Sequence, residues 1–145
     1  MFTNDTNILV YSIDATDLPK HLTAKRIVQA HTIRRYPVML QSLSELYFAT
    51  TRKSLLSNAD ASQIVTRTLS ISPVIPYDSS DVAAAMRLHD LHKIQFFDAL
   101  LLATAARSGC TTLFSEDFQH NRAYGTITVR NPFLLSPAEL DALLD

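Results

Sequence analysis

The stretch Phe96-Phe97-Asp98-Ala99-Leu100-Leu101-Leu102-Ala103-Thr104-Ala105-Ala106-Arg107-Ser108-Gly109 constrains the chain more than any other. Leu and Ala dominate, no proline interrupts, and Gly109 stands where a left-handed cap is wanted, so the pattern predicts a helix from Gln95 to Ser108. Its apolar residues fall on every side. Such a helix must be packed from more than one direction, which demands a layered fold around it.

Asp98 is the exception in that run. The three- and four-residue helical spacings put it on one face with Leu101, Leu102 and Ala105. A first-turn carboxylate gains roughly 0.3 to 1 kcal/mol from the helix dipole, whereas an unpaired buried ion costs several kcal/mol. A deeply buried Asp98 therefore requires a cation, hydrogen-bond donors or a raised pKa; the alternative is a carboxylate that reaches water at the helix end.

Around this helix, short apolar strands alternate with helices. Phe2 to Asp5 reads as a short strand that turns into a helix at Asp5-Thr6-Asn7, whose side chains suit capping. A helix opened by Asp17 and Pro19 runs to Arg35, followed by a strand at Val38-Met39-Leu40. Ser42 and Glu45 match a capping box for the next helix, a complete structural account of Glu45. Asn58 or Asp60 opens another helix, to about Leu69. Val74-Ile75-Pro76-Tyr77 is a brief strand, Pro76 arguing for a strand end, and Asp78 to Asp81 caps the helix after it. Thr111 to Phe114 forms a strand ending at Ser115-Glu116-Asp117. Phe118 to Gly125 is polar and turn-rich, Thr126 to Val129 is the last strand, and Ser136 to Glu139 caps an amphipathic tail. The expectation is an α/β fold with a mainly parallel sheet and helices on both faces.

At 145 residues the chain suits one domain over 1–145. Two glycines against six prolines, with neither a GxGxxG nor a Walker A match, disfavour dinucleotide and P-loop chemistry. The net charge of −1 lacks the basic excess of many nucleic-acid binders. Local cations are still present at Arg34, Arg35, Arg52, Lys53, Arg107, Arg122 and Arg130. Cys110 is the one cysteine, so an intramolecular disulfide and a thiolate zinc site are excluded. His89 and His92 lie three apart on one helix with no third ligand nearby. The first residues lack a basic start, and no apolar run reaches spanning length, so a cytoplasmic protein with no membrane association is expected.

Asp5, Glu45 and Asp117 each follow a strand, and Asp98 heads the helix before the fourth. In a parallel sheet the carboxyl ends of the strands share one edge, where open α/β folds place their ligands. Capping must explain each acid separately, whereas one metal centre explains all four. Carboxylates without His or Cys are hard ligands, pointing to Mg²⁺ or Mn²⁺.

In order and spacing, Asp5-Thr6-Asn7-Ile8-Leu9-Val10-Tyr11, Ser44-Glu45-Leu46, Phe97-Asp98-Ala99-Leu100-Leu101 and Leu113-Phe114-Ser115-Glu116-Asp117-Phe118 resemble a PIN-domain ribonuclease of the VapC toxin type. The resemblance spans essentially the whole chain. It implies a three-layer α/β/α sandwich with a central mainly parallel sheet. It makes Asp5, Glu45, Asp98 and Asp117 the catalytic and metal-holding set, with Thr6, Asn7, Ser115 and Glu116 in support. It further implies Mg²⁺- or Mn²⁺-dependent hydrolysis of RNA, a homodimer and inhibition by a VapB-type antitoxin. Leu55, Leu56 and Phe118 are candidates for an interface, with a place in the core or incidental exposure as the alternatives. The alternative is a catalytically silent module that binds RNA or a protein. Two departures stand out: the first strand is short, and Asn4 replaces the usual apolar residue before the first acid.

Overall fold

The computed structural model describes residues 1–145. In chain order the elements are β1 (Phe2–Asn4), α1 (Thr6–Tyr11), α2 (Leu18–Arg34), β2 (Val38–Met39), α3 (Leu40–Arg52), α4 (Asn58–Ile71), β3 (Val74–Ile75), α5 (Ser79–His92), α6 (Phe96–Arg107), β4 (Thr112–Phe114), β5 (Ala123–Tyr124), β6 (Ile127–Arg130), a 3-10 turn (Pro132–Leu134) and α7 (Pro137–Leu144).

The main sheet has the order β1-β4-β6-β5. Phe2 pairs with Thr112 and Thr112 with Thr128 in parallel register, while β5 returns antiparallel to β6. Strand β5 lies inside the segment expected to be turn-rich, Phe118 to Gly125. Gly125, at φ 61°, lets the chain reverse between Tyr124 and Ile127, which pair across the hairpin.

β2 and β3 form a separate parallel pair instead of extending the sheet. Proline supplies the reason. Pro37, at the entrance to β2, has no N–H to offer a ladder, and its carbonyl is taken by the Thr3 hydroxyl of β1 at 3.0 Å. Val38 N–H bonds instead to Pro73 O at 2.9 Å.

Side chains alternate across the sheet, and helices cover both faces. Leu113, Ile127 and Val129 point to a core shared with Leu101, Leu102 and Ala105 of α6. Phe2 and Phe114 point to the opposite core, built with Ile8, Ala24 and Ile27 and closed by Leu140 and Leu144 of α7. This is the expected three-layer α/β/α arrangement.

Helix α6 behaves as its composition requires: Ala99 to Ala105 are all buried. Leu100 and Ala103 pack on Ala85 of α5, while Leu101 and Leu102 face the sheet. Gly109 adopts φ 83°, and a Cβ there would sit 3.3 Å from the Met1 side chain.

Several local expectations are corrected. Ser42 and Glu45 do not form a capping box, because α3 begins earlier, at Leu40, and has no side-chain cap. Ser42 is instead buried in the helix body and donates its hydroxyl to Asn4 O at 3.2 Å. Helix α4 is capped by Ser57 rather than Asn58 or Asp60. Leu55, Leu56 and Phe118 are half-buried, and Phe118 packs edge-on against the Tyr124 ring. The strongly exposed apolar side chains are others, among them Ile33, Phe48 and Leu91. Cys110 is buried at the approach to β4, as a small core residue.

Candidate active site

The parallel pairing of β1 with β4 brings their carboxyl ends to one edge, so Asp5 and Ser115 emerge side by side. Asp5 N–H still bonds to Phe114 O at 3.0 Å, and Asn4 keeps its place opposite Phe114. The polar Asn4 thus leaves Asp5 in register; its cost appears elsewhere, in a buried Oδ1 without a partner.

Asp5 caps α1 through a bond from Thr6 N–H at 2.6 Å. Capping uses only one carboxylate oxygen. The other accepts the Ser115 hydroxyl at 2.7 Å and lies 3.3 Å from Asn7 Nδ2. Asn7 Nδ2 also reaches Asp117 Oδ2 at 2.9 Å, and Asp117 N–H donates to Ser115 Oγ at 3.1 Å. Asn7 and Ser115 therefore tie Asp5 to Asp117.

A second arm carries Glu45. Its Oε2 accepts from Thr6 Oγ1 at 3.0 Å, and its Oε1 accepts from Gln41 Nε2 at 3.0 Å. Gln41 Nε2 also donates to Phe97 O at 2.9 Å, linking α3 to the first turn of α6, where Asp98 sits. Sequence reasoning missed Gln41. Its position one turn before Glu45 was the available signal.

Asp5, Glu45, Asp98 and Asp117, with Thr6 and Asn7, line one cleft of about 530 Å³. Asp5 is 6% exposed, Asp98 half-buried, and Glu45 and Asp117 exposed. Burial pushes the Asp5 carboxyl up to about 6, opposed by the bonds from Ser115 and Thr6 and reinforced by the charges of Asp117 and Asp98. Asp98 is raised as well, by desolvation first and then by Asp117 and Glu45. The charge of Asp117 thus bears on both Asp5 and Asp98, that of Asp98 on Asp5 and that of Glu45 on Asp98, although burial is the larger cause in both shifts.

Glu116 is not in that group. Tyr11 OH holds its Oε1 at 2.6 Å and Lys20 Nζ holds its Oε2 at 2.7 Å, so both oxygens are spent at the rim of the cleft. The same bond raises the Tyr11 hydroxyl, since ionising it would break the donation to Glu116. His89 and His92 do not share a ligand: His89 Nδ1 meets Ile94 O at 2.6 Å, while His92 faces Arg122.

The donor set fits a hard divalent cation in kind. Carboxylate, amide and hydroxyl oxygens line the cleft with no imidazole or thiol, and Asn7 Oδ1 is a buried acceptor without a partner. Closure is incomplete, because no three of the acids stand close enough together to hold a metal between them. Glu45 and Asp117 are the exposed members of the set.

Fold and cleft together define a class: a small α/β protein whose acidic residues gather at the carboxyl edge of a parallel sheet. The PIN domain model matches residues 4–125, and the chain belongs to the PIN domain family. No curated protein matches the sequence. Among solved structures, the chain is similar to VapC20 of Mycobacterium tuberculosis, described as a Sarcin-Ricin loop cleaving toxin. That match has 18% identity and a TM-score of 0.63, covering 81% of this chain and 90% of that one. A toxin-antitoxin complex from Klebsiella pneumoniae matches at 19% identity and a TM-score of 0.65, covering 91% and 98%. VapBC2 of Rickettsia felis, bound to a DNA fragment from its promoter, matches at 16% and 0.63, covering 89% and 96%. At these identities the likeness speaks for the fold. No helix is long and apolar enough to cross a membrane.

Proposed function

We propose that this protein is a metal-dependent endoribonuclease and the toxin of a toxin–antitoxin pair. The observation that carries the reading is the convergence of Asp5, Glu45, Asp98 and Asp117 on one cleft, where burial and the neighbouring carboxylates raise the cost of ionising Asp5 and Asp98. A divalent cation is the natural remedy for such a cluster. Asp5, Asp98 and Asp117 would hold Mg²⁺ or Mn²⁺, with Glu45 as a further ligand or as the group that orients water. When bound, the ion supplies Lewis acidity at the scissile phosphate and makes a neighbouring water acidic enough to attack.

The chain's own residues supply the rest. Ser115 and Asn7 keep the Asp5 carboxylate aimed into the cleft, and Thr6 and Gln41 together set the rotamer of Glu45. Glu116, fully engaged by Tyr11 and Lys20, supports the rim instead of the reacting groups. Residues 1–145 act as one unit on this reading, since α7, beyond the matched span, closes the core under β1. The solved toxin–antitoxin complexes of the same fold support a VapB-type antitoxin as partner; on this reading the protein acts on RNA, as a homodimer, in the cytoplasm.

One observation favours a second reading, a catalytically silent PIN module: no three acids are drawn to coordinating distance. Incubation of a mixed RNA pool with wild type and Asp98→Asn, each with Mg²⁺, Mn²⁺ or excess chelator, separates the two. Metal-dependent cleavage that disappears in the variant establishes the nuclease. Cleavage unaffected by the substitution removes Asp98 from the site, and no cleavage by either protein moves the assignment to the silent module.

A further inference from the structure

An acid-lined cleft repels the polyanion it would cut, so cations must lie along the path of the strand. Lys53 is the only Lys or Arg in its lining. Most cations fixed elsewhere are already spent on carboxylates: Lys20 on Glu116, Arg26 on Asp141, Lys93 on Asp90 and Arg107 on Asp81. Arg130 donates to Asn121 and lies within range of Glu139, whose carboxyl is held down first by its bonds from Ser136 and then by the nearby His120 and Arg130 charges.

Arg122 is held differently. Its guanidinium lies over the Tyr124 ring at 5.1 Å and donates to His92 Nδ1 at 3.3 Å and to Gln119 Oε1 at 3.3 Å. An arginine has only donors, so His92 is the acceptor in that contact. His92 is braced in turn by the Tyr124 ring at 5.0 Å, and the Arg122 backbone is pinned to β6, its carbonyl accepting from Val129 N–H at 2.9 Å. All three side-chain partners are neutral acceptors or aromatic faces, and no carboxylate is among them. The guanidinium is therefore fixed in place with its charge uncompensated, the state suited to a phosphate.

Its location follows from the chain. Arg122 lies five residues beyond Asp117 and His92 three residues before Gln95, and both Asp117 and Gln95 line the cleft. Three residues reach at most about 11 Å and five about 18 Å. The contact between Arg122 and His92 thus joins two connections that each lead to a residue lining the cleft, and the bond from Val129 N–H puts Arg122 at the end of β6 that lies beside Phe114, just before Ser115.

Resting on the reading of the cleft as an RNA-cleaving site, we propose that Arg122, stacked on Tyr124 and braced by His92, receives a backbone phosphate of the RNA strand beside the acidic cleft. It is a positioning residue: it holds the strand and does not touch the reacting atoms.

The test is equilibrium binding of a fluorescent mixed-sequence single-stranded RNA, with Mg²⁺, from about 50 to about 300 mM salt. The proteins are Asp98→Asn, which is not expected to cleave, and the same protein carrying Arg122→Ala, Arg122→Lys or Arg67→Ala. Arg67 is an unpaired cation on α4 and controls for net charge. Loss of Arg122 is expected to weaken binding about fivefold or more near 0.1 M salt and to make the slope of log K against log salt shallower by about 0.7, one single-strand phosphate contact. Arg122→Lys keeps the slope at intermediate affinity, and Arg67→Ala changes neither. In the cleaving wild type, Arg122→Ala raises KM with kcat little changed. If the alanine variant does not fold, Arg122→Gln, which retains donors toward His92, decides by the same slope. RNA bound by the parent but with unchanged slope and affinity on loss of Arg122, or an equal effect of Arg67→Ala, overturns this inference alone. A parent that binds no RNA overturns it together with the nuclease reading.

Discussion

The Ser115 hydroxyl donates to Asp5 Oδ2 across 2.7 Å, joining the end of β4 to the end of β1 inside the sheet edge. Ser115 Oγ in turn accepts Asp117 N–H at 3.1 Å. One hydroxyl therefore stabilises the ionised form of a buried acid and fixes the backbone of an exposed one. Loss of this hydroxyl is expected to push the Asp5 carboxyl above its value of about 6, because the opposing effect of burial remains. Ser115→Ala should also cost roughly 1–3 kcal/mol, the range for leaving buried partners unsatisfied. Carboxyl NMR titration and chemical denaturation measure the two effects, and an unmoved Asp5 would show that Ser115 does not hold the site.

Asp98 tests whether the acids form one electrostatic group. In metal-free protein, Asp98→Asn should leave stability unchanged or raise it, since the charges of Asp117 and Glu45 already oppose ionisation there. Added Mn²⁺ at millimolar concentration should raise the Tm of wild type and raise that of the variant less. A large loss of stability on substitution without metal would mark Asp98 as a structural ion.

His31 predicts an acid limb in the stability profile. It is buried against the Phe2 and Tyr36 rings with Nε2 3.2 Å from Pro37 O, and burial lowers its pKa to about 4 from the usual 6.5. The unfolded chain binds this proton more readily than the folded one. The contribution is therefore fully present above about pH 6.5 and is lost as pH falls toward 4, amounting at most to about 3 kcal/mol. Asp5 has the opposite sign, its raised folded pKa favouring the native state as pH falls through 6 toward 4. Urea melts of wild type and His31→Phe between pH 7 and 4 isolate the histidine: the gap between them should move in favour of the variant on acidification. A constant gap would show that His31 takes up its proton as readily in the fold as in the unfolded chain.

Two ion pairs should differ sharply in what they contribute. Arg107 offers Nε and Nη2 to Asp81, 2% exposed, and also bonds Pro76 O at 2.7 Å. Arg26 and Asp141 meet on the surface. Arg107→Met leaves a buried carboxylate without its cation, whereas Arg26→Met leaves one in water. Thermal melts should show a much larger drop in Tm for Arg107→Met, and equal drops would mean that Asp81 finds water.

The sequence alone determined whatever depends on neighbours along the chain. The all-round apolar pattern of Phe96 to Ala106 required a helix covered on several sides, Asp78 to Asp81 marked a helix cap, Ser136 and Glu139 a capping box, and Gly109 a left-handed cap, because propensity, capping and φ preference act within a few residues. The alternation of strand and helix extended that reach to the α/β layers. Tertiary structure alone decided where β1 and β2 part, since the Thr3–Pro37 bond spans 34 positions. It also decided that Glu45 faces Thr6 and Gln41 instead of capping its own helix, because Ser42 is drawn inward to Asn4 O. Glu116 falls to Tyr11 and Lys20, and Arg122 to His92 and Tyr124, for the same reason. A carboxylate or guanidinium takes whichever partner the fold brings within about 3 Å, and a distance that short between residues far apart in sequence exists only after the layers have packed.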